Sequence, residues 1–146
     1  RQMCIRDRVD TVLDVGCGGG LPSVPLALLL PHVSVMGVDA VGKKAAFVNQ
    51  VAIELGLKNL TARHARVEKM VGTWKAITSR AFASLADFTH LTMHLLASDG
   101  RWLAMKGVVP EDEIAALPSN VKVLAIEKLV VPGLEEERHL IVLGKE

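Results

Sequence analysis

Residues 12–20 read Val12-Leu13-Asp14-Val15-Gly16-Cys17-Gly18-Gly19-Gly20, an apolar run that passes through one acid into a cluster of glycines. A helix-forming stretch, 23–30, follows almost at once. An apolar strand opening onto glycines and then a helix is the first unit of a doubly wound α/β sheet. Glycine lets the backbone turn sharply and approach a ligand closely, because no Cβ intervenes. Asp39 lies 19 residues beyond Gly20, at the close of the next apolar run. The first two strand ends are neighbours in such a sheet, so the Asp39 carboxylate is placed to accept both hydroxyls of a ribose.

The spacing of the glycines discriminates between nucleoside cofactors. A dinucleotide fingerprint begun at Gly16 requires glycine or alanine at position 21, where this chain has Leu21; begun at Gly18, it requires one at 23, where this chain has Ser23. The loop therefore fits a pyrophosphate poorly, and Asp14 just before it repels phosphates. The same acid suits the amine of a methionyl tail or a sulfonium ligand. The expected cofactor is S-adenosylmethionine, held by Asp14, Gly16, Gly18, Gly20 and Asp39, ahead of a nicotinamide cofactor or a glycine turn with no ligand.

Outward from the loop, short apolar runs alternate with helix-like segments, the pattern of a parallel sheet covered on both faces. Strands are expected at 11–15, 33–38, 60–64, 76–79 and 101–106, with helices at 23–30, 42–55, 84–97 and 110–117 and a short turn at 67–71. Two further strands, 121–131 and 138–143, are joined by a connection too short for a crossover helix and must be antiparallel neighbours. The expected fold is α/β: a Rossmann-like, seven-stranded, mostly parallel sheet ending in an antiparallel hairpin, as in class I methyltransferases. Residues 9–146 form one domain, and residues 1–8, which have neither period, read as a non-native or disordered head.

With half of its 146 residues apolar, the chain can bury one core but not two. Prolines, His32 and Asp39 interrupt the longest apolar stretch, so no membrane span is expected. Cys4 and Cys17 make no disulfide framework, and the expectation is a cytoplasmic monomer. The net charge of +1 is unevenly spread: residues 43–106 carry ten bases against four acids, while residues 107–146 carry four bases against eight acids. A basic middle third fits a polyanionic partner or plain solubility.

Polar residues fall at the strand ends. Asp14, Asp39, His64, Arg80 and Lys106 close successive parallel strands, and Arg138 and His139 begin the antiparallel one, so all are expected at the edge where ligands bind. Arg80 suits a phosphate or carboxylate clamp, or a surface role. Lys43 and Lys44 open a helix, where positive charge opposes the dipole, which is consistent with RNA contact or with solvation. Lys106 has the same two readings, and Arg138 can instead hold the Glu135-Glu136-Glu137 turn. His90 and His94 are four apart, but no third ligand accompanies them and no metal is expected. Cys17 reads as a small filler rather than a nucleophile, and Trp74 and Trp102 as packing rather than base-stacking residues.

Several strings are more particular: Asp14 to Pro22, Gly42-Lys43-Lys44, Arg66-Val67-Glu68, Ser79-Arg80-Ala81-Phe82-Ala83-Ser84-Leu85, Met105-Lys106-Gly107 and Glu137-Arg138-His139-Leu140. Together they resemble the bacterial small-subunit rRNA guanine-N7 methyltransferases, also called the glucose-inhibited division protein B family, from about Val9 to Lys145. The resemblance implies that Gly16 and Leu21 touch the methionyl part of the cofactor and that Val67 and Glu68 border its adenine. It also implies that Arg80 lies at the cofactor site facing the substrate, in a positioning rather than acid–base role. Lys43, Lys44, Lys106, Arg138 and His139 would meet the partner, small-subunit (16S) ribosomal RNA or the assembled subunit. Family members usually have glycine where Ser23 stands, and they carry a helical segment before the first strand, so the chain is expected to be N-terminally truncated.

The chemistry fits. Strand four ends in Ser79-Arg80-Ala81, not in the Asn/Asp-Pro-Pro-aromatic signature of enzymes that methylate exocyclic amines. Guanine N7 has an in-plane lone pair and needs no general base, so alignment is the main requirement. The expected activity is methyl transfer from S-adenosylmethionine to that nitrogen. The alternatives are a class I methyltransferase with a small-molecule or protein acceptor, and an inactive fragment that binds cofactor or RNA.

Overall fold

The computed structural model describes residues 9–80, 84–130, 132–133 and 135–146. The expected head at 1–8, residues 81–83 of the Ser-Arg-Ala-Phe-Ala-Ser-Leu string, and position 131 of the expected sixth strand lie outside these. Seven strands form one sheet in the order β3-β2-β1-β4-β5-β7-β6. They are β1 (Thr11–Val15), β2 (Ser34–Asp39), β3 (Leu60–His64), β4 (Trp74–Ser79), β5 (Leu96–Lys106), β6 (Val121–Leu129) and β7 (Arg138–Lys145). The first five pair in parallel, and β7 enters antiparallel between β5 and β6, with Lys106 opposite His139. The chain reverses its direction of winding between β1 and β4, the position where sheets of this kind bind ligands.

Alternation along the strands builds a core on each face. Leu13, Ile77, Trp102, Ile141 and Leu143 point to the side of α3 (Leu85–Thr92), whereas Val12, Val35, Leu60 and Ala76 lie beneath α1 (Ser23–Leu29) and α2 (Gly42–Leu55). Ser84 caps α3 by accepting the Asp87 N–H at 3.1 Å. A short helix, α4 (Glu111–Ala115), opens with three acids at its positive end.

The main departure from expectation concerns the segment 84–97. The helix stops at Thr92, a 3₁₀ turn spans Met93–Leu95, and β5 begins already at Leu96. Thr92 Oγ1 donates to Phe88 O at 2.6 Å and accepts the Trp102 indole N–H at 2.8 Å, which ties the helix end to the strand beneath. The Ser98-Asp99-Gly100 stretch, between the expected helix and the expected strand, lies within β5. Trp74 pairs with Leu96 and Ala76 with Arg101, so the extra residues are absorbed as a bulge. Gly100 permits this, since a Cβ there would sit 2.9 Å from the Lys75 carbonyl. Elsewhere β2 runs one residue later than expected, β4 starts two earlier, β7 runs on to Lys145 and α4 is shorter than 110–117.

Candidate cofactor and substrate site

The glycine loop is tied to the end of β2. Gly16 N–H and Cys17 N–H both donate to Val38 O, at 2.8 and 3.2 Å. Gly16 and Gly20 have φ of 77° and 79°, a region that disfavours side chains, so glycine is required at both turns. Gly18 N–H donates to Asp39 Oδ2 at 3.0 Å, and Val41 N–H to Asp39 Oδ1 at 2.9 Å. The Asp39 carboxylate is thus oriented by backbone on both oxygens, each of which keeps a lone pair for a further donor. Beside it lies a cavity of about 230 Å³, bounded by Val15 and Gly16 on one side and by Ala65, Arg66, Val67 and Glu68 on the other.

Asp14 is not at the surface of this edge. It is 1% exposed, turned under the loop, and its Oδ2 accepts the hydroxyl of the fully buried Ser23. Its Oδ1 is buried with no hydrogen-bond partner among the described residues. Burial pushes the Asp14 carboxyl up to about 7, against the lowering effects of the Ser23 side-chain and backbone hydrogen bonds and of the nearby Arg80 charge. The space is made by Gly37, where a Cβ would lie 2.7 Å from Cys17 Sγ and 3.4 Å from Ser23 Oγ. Cys17 is itself fully buried, and burial pushes its thiol up to about 12, which suits a filler and not a thiolate nucleophile.

Leu21 is half-exposed on the loop, and Val67 and Glu68 line the cavity as part of a 3₁₀ turn (Val67–Lys69). Arg80 is exposed at the end of β4 and, with Lys106, borders a small crevice beside Ser84 and Leu85. Lys106 Nζ is 3.0 Å from Glu113 Oε1, the atom that also accepts the Leu85 N–H at 2.9 Å. Lys43 and Lys44 are exposed at the start of α2, and the Lys44 stem passes over Gly18. The loop, Asp39, the cavity, Arg80 and Lys106 therefore gather along one edge.

Two residues expected to meet RNA are otherwise engaged. His139 is 8% exposed, and its Nδ1–H donates to Gly107 O at 2.7 Å, since a carbonyl can only accept. Alternation carried the signal: His139, Ile141 and Leu143 share one face of β7, and that face is core. Arg138 pairs with Glu136 at 2.7 Å and donates to Glu137 O, holding its own turn. Ser23 and Arg66, which stand in the sequence as a departure from the family and as part of a family string but without a site role, lie at the loop root and the cavity wall, and Glu113, in the acidic run that opens α4, is a further site-edge residue. Among the described residues no cluster of His, Cys, Asp or Glu could hold a metal ion, and no helix is long and apolar enough to cross a membrane.

Solved structures share the architecture. The chain is similar to TrmN from Thermus thermophilus, with a TM-score of 0.78 at 21% identity over 99% of this chain and 48% of that one. It is also similar to coclaurine N-methyltransferase, solved with N-methylheliamine and SAH, with a TM-score of 0.75 at 12% identity over 99% and 71% of the two chains. At these identities the likeness speaks to the fold, which is that of the class I methyltransferases. Sequence relatives are much nearer. A ribosomal RNA small subunit methyltransferase G from Methylibium petroleiphilum is 53% identical, over 92% of this chain and 62% of the relative. One from Ralstonia nicotianae is 51% identical, over 96% and 64%. The chain thus spans about three fifths of the length of such relatives. The family model described as rRNA small subunit methyltransferase G (GidB) matches residues 2–141, and the chain belongs to that family.

Proposed function

We propose that the chain is the cofactor-binding and catalytic portion of an S-adenosylmethionine-dependent methyltransferase acting on N7 of a guanine in 16S ribosomal RNA. The observation that carries the cofactor reading is the Asp39 carboxylate, locked to the glycine loop through Gly18 and standing at the wall of a cavity over the ends of β1 and β2. Its spare lone pairs suit two ribose hydroxyls, and Val67 and Glu68 stand where a flat base would lie. The residues present also fit the cationic end of the cofactor: Asp14 Oδ1 is a buried acceptor without a hydrogen-bond donor among the described residues, and a nearby cation favours the ionised carboxylate.

When bound, S-adenosylmethionine supplies an electrophilic methyl group on its sulfonium. Asp39, Gly16 and Gly18 hold and orient the nucleoside. Arg80 and Lys106, at the ends of β4 and β5, are cations on the side from which a polyanionic acceptor would approach. Guanine N7 needs no general base, and alignment can supply roughly 7–11 kcal/mol of barrier lowering in favourable cases. Lys43 and Lys44 flank the same edge and suit RNA phosphates, Arg138 and His139 less so given their internal partners. Rossmann-like methyltransferases with other acceptors share the fold, so the family relationship is what favours RNA.

The test has two stages. Calorimetric titration with S-adenosylhomocysteine should give saturable one-to-one binding that NADH does not reproduce. Transfer of a labelled methyl group to small ribosomal subunits lacking the modification should then place the label at a guanine N7. Binding without transfer favours a cofactor-binding fragment, and absence of both refutes the reading.

A further inference from the structure

Ser23 is the first residue of α1, fully buried, and it closes the glycine loop at its root by donating to Asp14 Oδ2, nine positions earlier in the chain. Gly37 keeps the space for this contact open. Other ties of the loop run to β2, through Val38 O and Asp39, or span only a few residues, as from Gly20 N–H to Cys17 O, whereas the Asp14–Ser23 contact joins the strand before the loop to the helix after it. With Oδ2 taken, Oδ1 is left shielded from water and without a donor among the described residues. A desolvated acceptor of this kind is costly, and a nearby cation relieves the cost.

We propose that Ser23 is a positioning residue for the cationic, methionyl end of the cofactor, acting through Asp14: by engaging one carboxylate oxygen it holds the other as the negative floor of the loop. This rests on the cofactor reading above. The charged and titratable neighbours are Arg80 from the end of β4, Asp39 from the end of β2 and Cys17 within the loop. Arg80 lowers the affinity of Asp14 for a proton and Asp39 raises it, whereas Ser23 lowers it by donating to the ionised form. Removing the Ser23 hydroxyl therefore shifts the carboxyl toward its neutral form, which attracts no cation.

The experiment compares two ligands on the whole chain. S-adenosylhomocysteine carries the ammonium-bearing tail, and 5′-methylthioadenosine lacks it. In Ser23→Ala, calorimetry should show S-adenosylhomocysteine weakened about tenfold or more, with 5′-methylthioadenosine unchanged. The deficit should shrink as pH rises through the neutral range, because the carboxyl of the variant still ionises at higher pH. Ser23→Thr, which keeps the hydroxyl, should restore binding, and thermal melting of each variant reports whether the fold is retained. Equal weakening of both ligands, or of neither, or no rescue by threonine in a folded protein, overturns the proposal while leaving the cofactor reading intact. A folded wild-type chain that binds neither adenosine compound overturns both.

Discussion

The Gly18 amide and the Asp39 side chain meet at 3.0 Å, so one carboxylate joins the glycine loop to the end of β2. The other oxygen takes the Val41 amide at 2.9 Å, at the entry to α2. Asp39 therefore organises the site before any ligand arrives. Both Asp39→Ala and Asp39→Asn should weaken S-adenosylhomocysteine. Alanine removes both acceptors, and an asparagine amide cannot accept both backbone amides, since one of its two positions is a donor. Each hydrogen bond to a charged group is worth roughly 1.5–3 kcal/mol, so a loss of at least about tenfold is expected in either variant. Calorimetry showing wild-type affinity in Asp39→Asn would remove Asp39 from the ribose site.

Gly18→Ala tests the same junction from the other side. A Cβ at position 18 would lie 2.8 Å from Lys44 Cδ and 3.2 Å from Asp39 Oδ2. The lysine stem can swing aside, but the carboxylate is held by two amides and must yield. The expected outcome is weaker cofactor binding with a melting temperature close to wild type. Adding Lys44→Ala should leave most of the deficit in place, because the contact with Asp39 is the one that does not relax. Full recovery in the double variant would assign the clash to Lys44 instead.

Asp14 makes the folded protein sensitive to pH. Its carboxyl is pushed from 3.8 to about 7 in the fold by burial. A carboxyl with a raised native pKa binds its proton more tightly in the folded state, so stability is highest below the unfolded value. It then falls as pH rises, and levels off above about 7. The penalty is of the order of 4 kcal/mol at most for a shift of this size. Asp14→Asn should flatten that part of the profile, measured as melting temperature against pH in the absence of cofactor. A wild-type profile that rises from pH 4 to 7 beyond what the other carboxylates supply, unchanged by the substitution, would contradict the raised value.

The parts of the site that are legible in the sequence are those set by local pattern. The strand, glycine loop and Asp39 follow from an apolar run, a glycine cluster and a spacing, and the final antiparallel pair follows from a short connection. What is not legible depends on packing. Nothing near Ser23 in the sequence says that Gly37, fourteen positions later, leaves room for its hydroxyl beneath the loop. The apolar residues Met93, Leu95 and Leu96 continue a helical spacing, yet the strand begins within them because Trp102 anchors Thr92 from below. His139 was placed by its position at a strand end, although its alternation with Ile141 and Leu143 assigns it to the interior.

Lys106 illustrates how a site cation can also be part of the frame. Glu113 Oε1 is shared by the Lys106 ammonium at 3.0 Å and the Leu85 amide at 2.9 Å, so α4 steadies both the end of β5 and the first turn of α3. The side chains of Lys106 and Glu113 are 17% and 30% exposed, which leaves the pair only partly screened by water. Glu113→Gln can keep the bond to the Leu85 amide through its carbonyl oxygen while losing the ion pair. Glu113→Ala loses both. Denaturant unfolding should therefore rank the alanine variant below the glutamine variant, with the alanine cost about 1–2 kcal/mol. Lys106→Met should retain cofactor affinity, because Lys106 borders the crevice beside Arg80 and not the cavity beside Asp39. If its role is toward the nucleic acid, methyl transfer to the ribosomal subunit falls in that variant and the fall is larger at low salt, because the lost phosphate contact is the salt-sensitive one and the variant's own salt dependence is shallower. Unchanged transfer at every salt concentration would restrict Lys106 to its structural contact with Glu113.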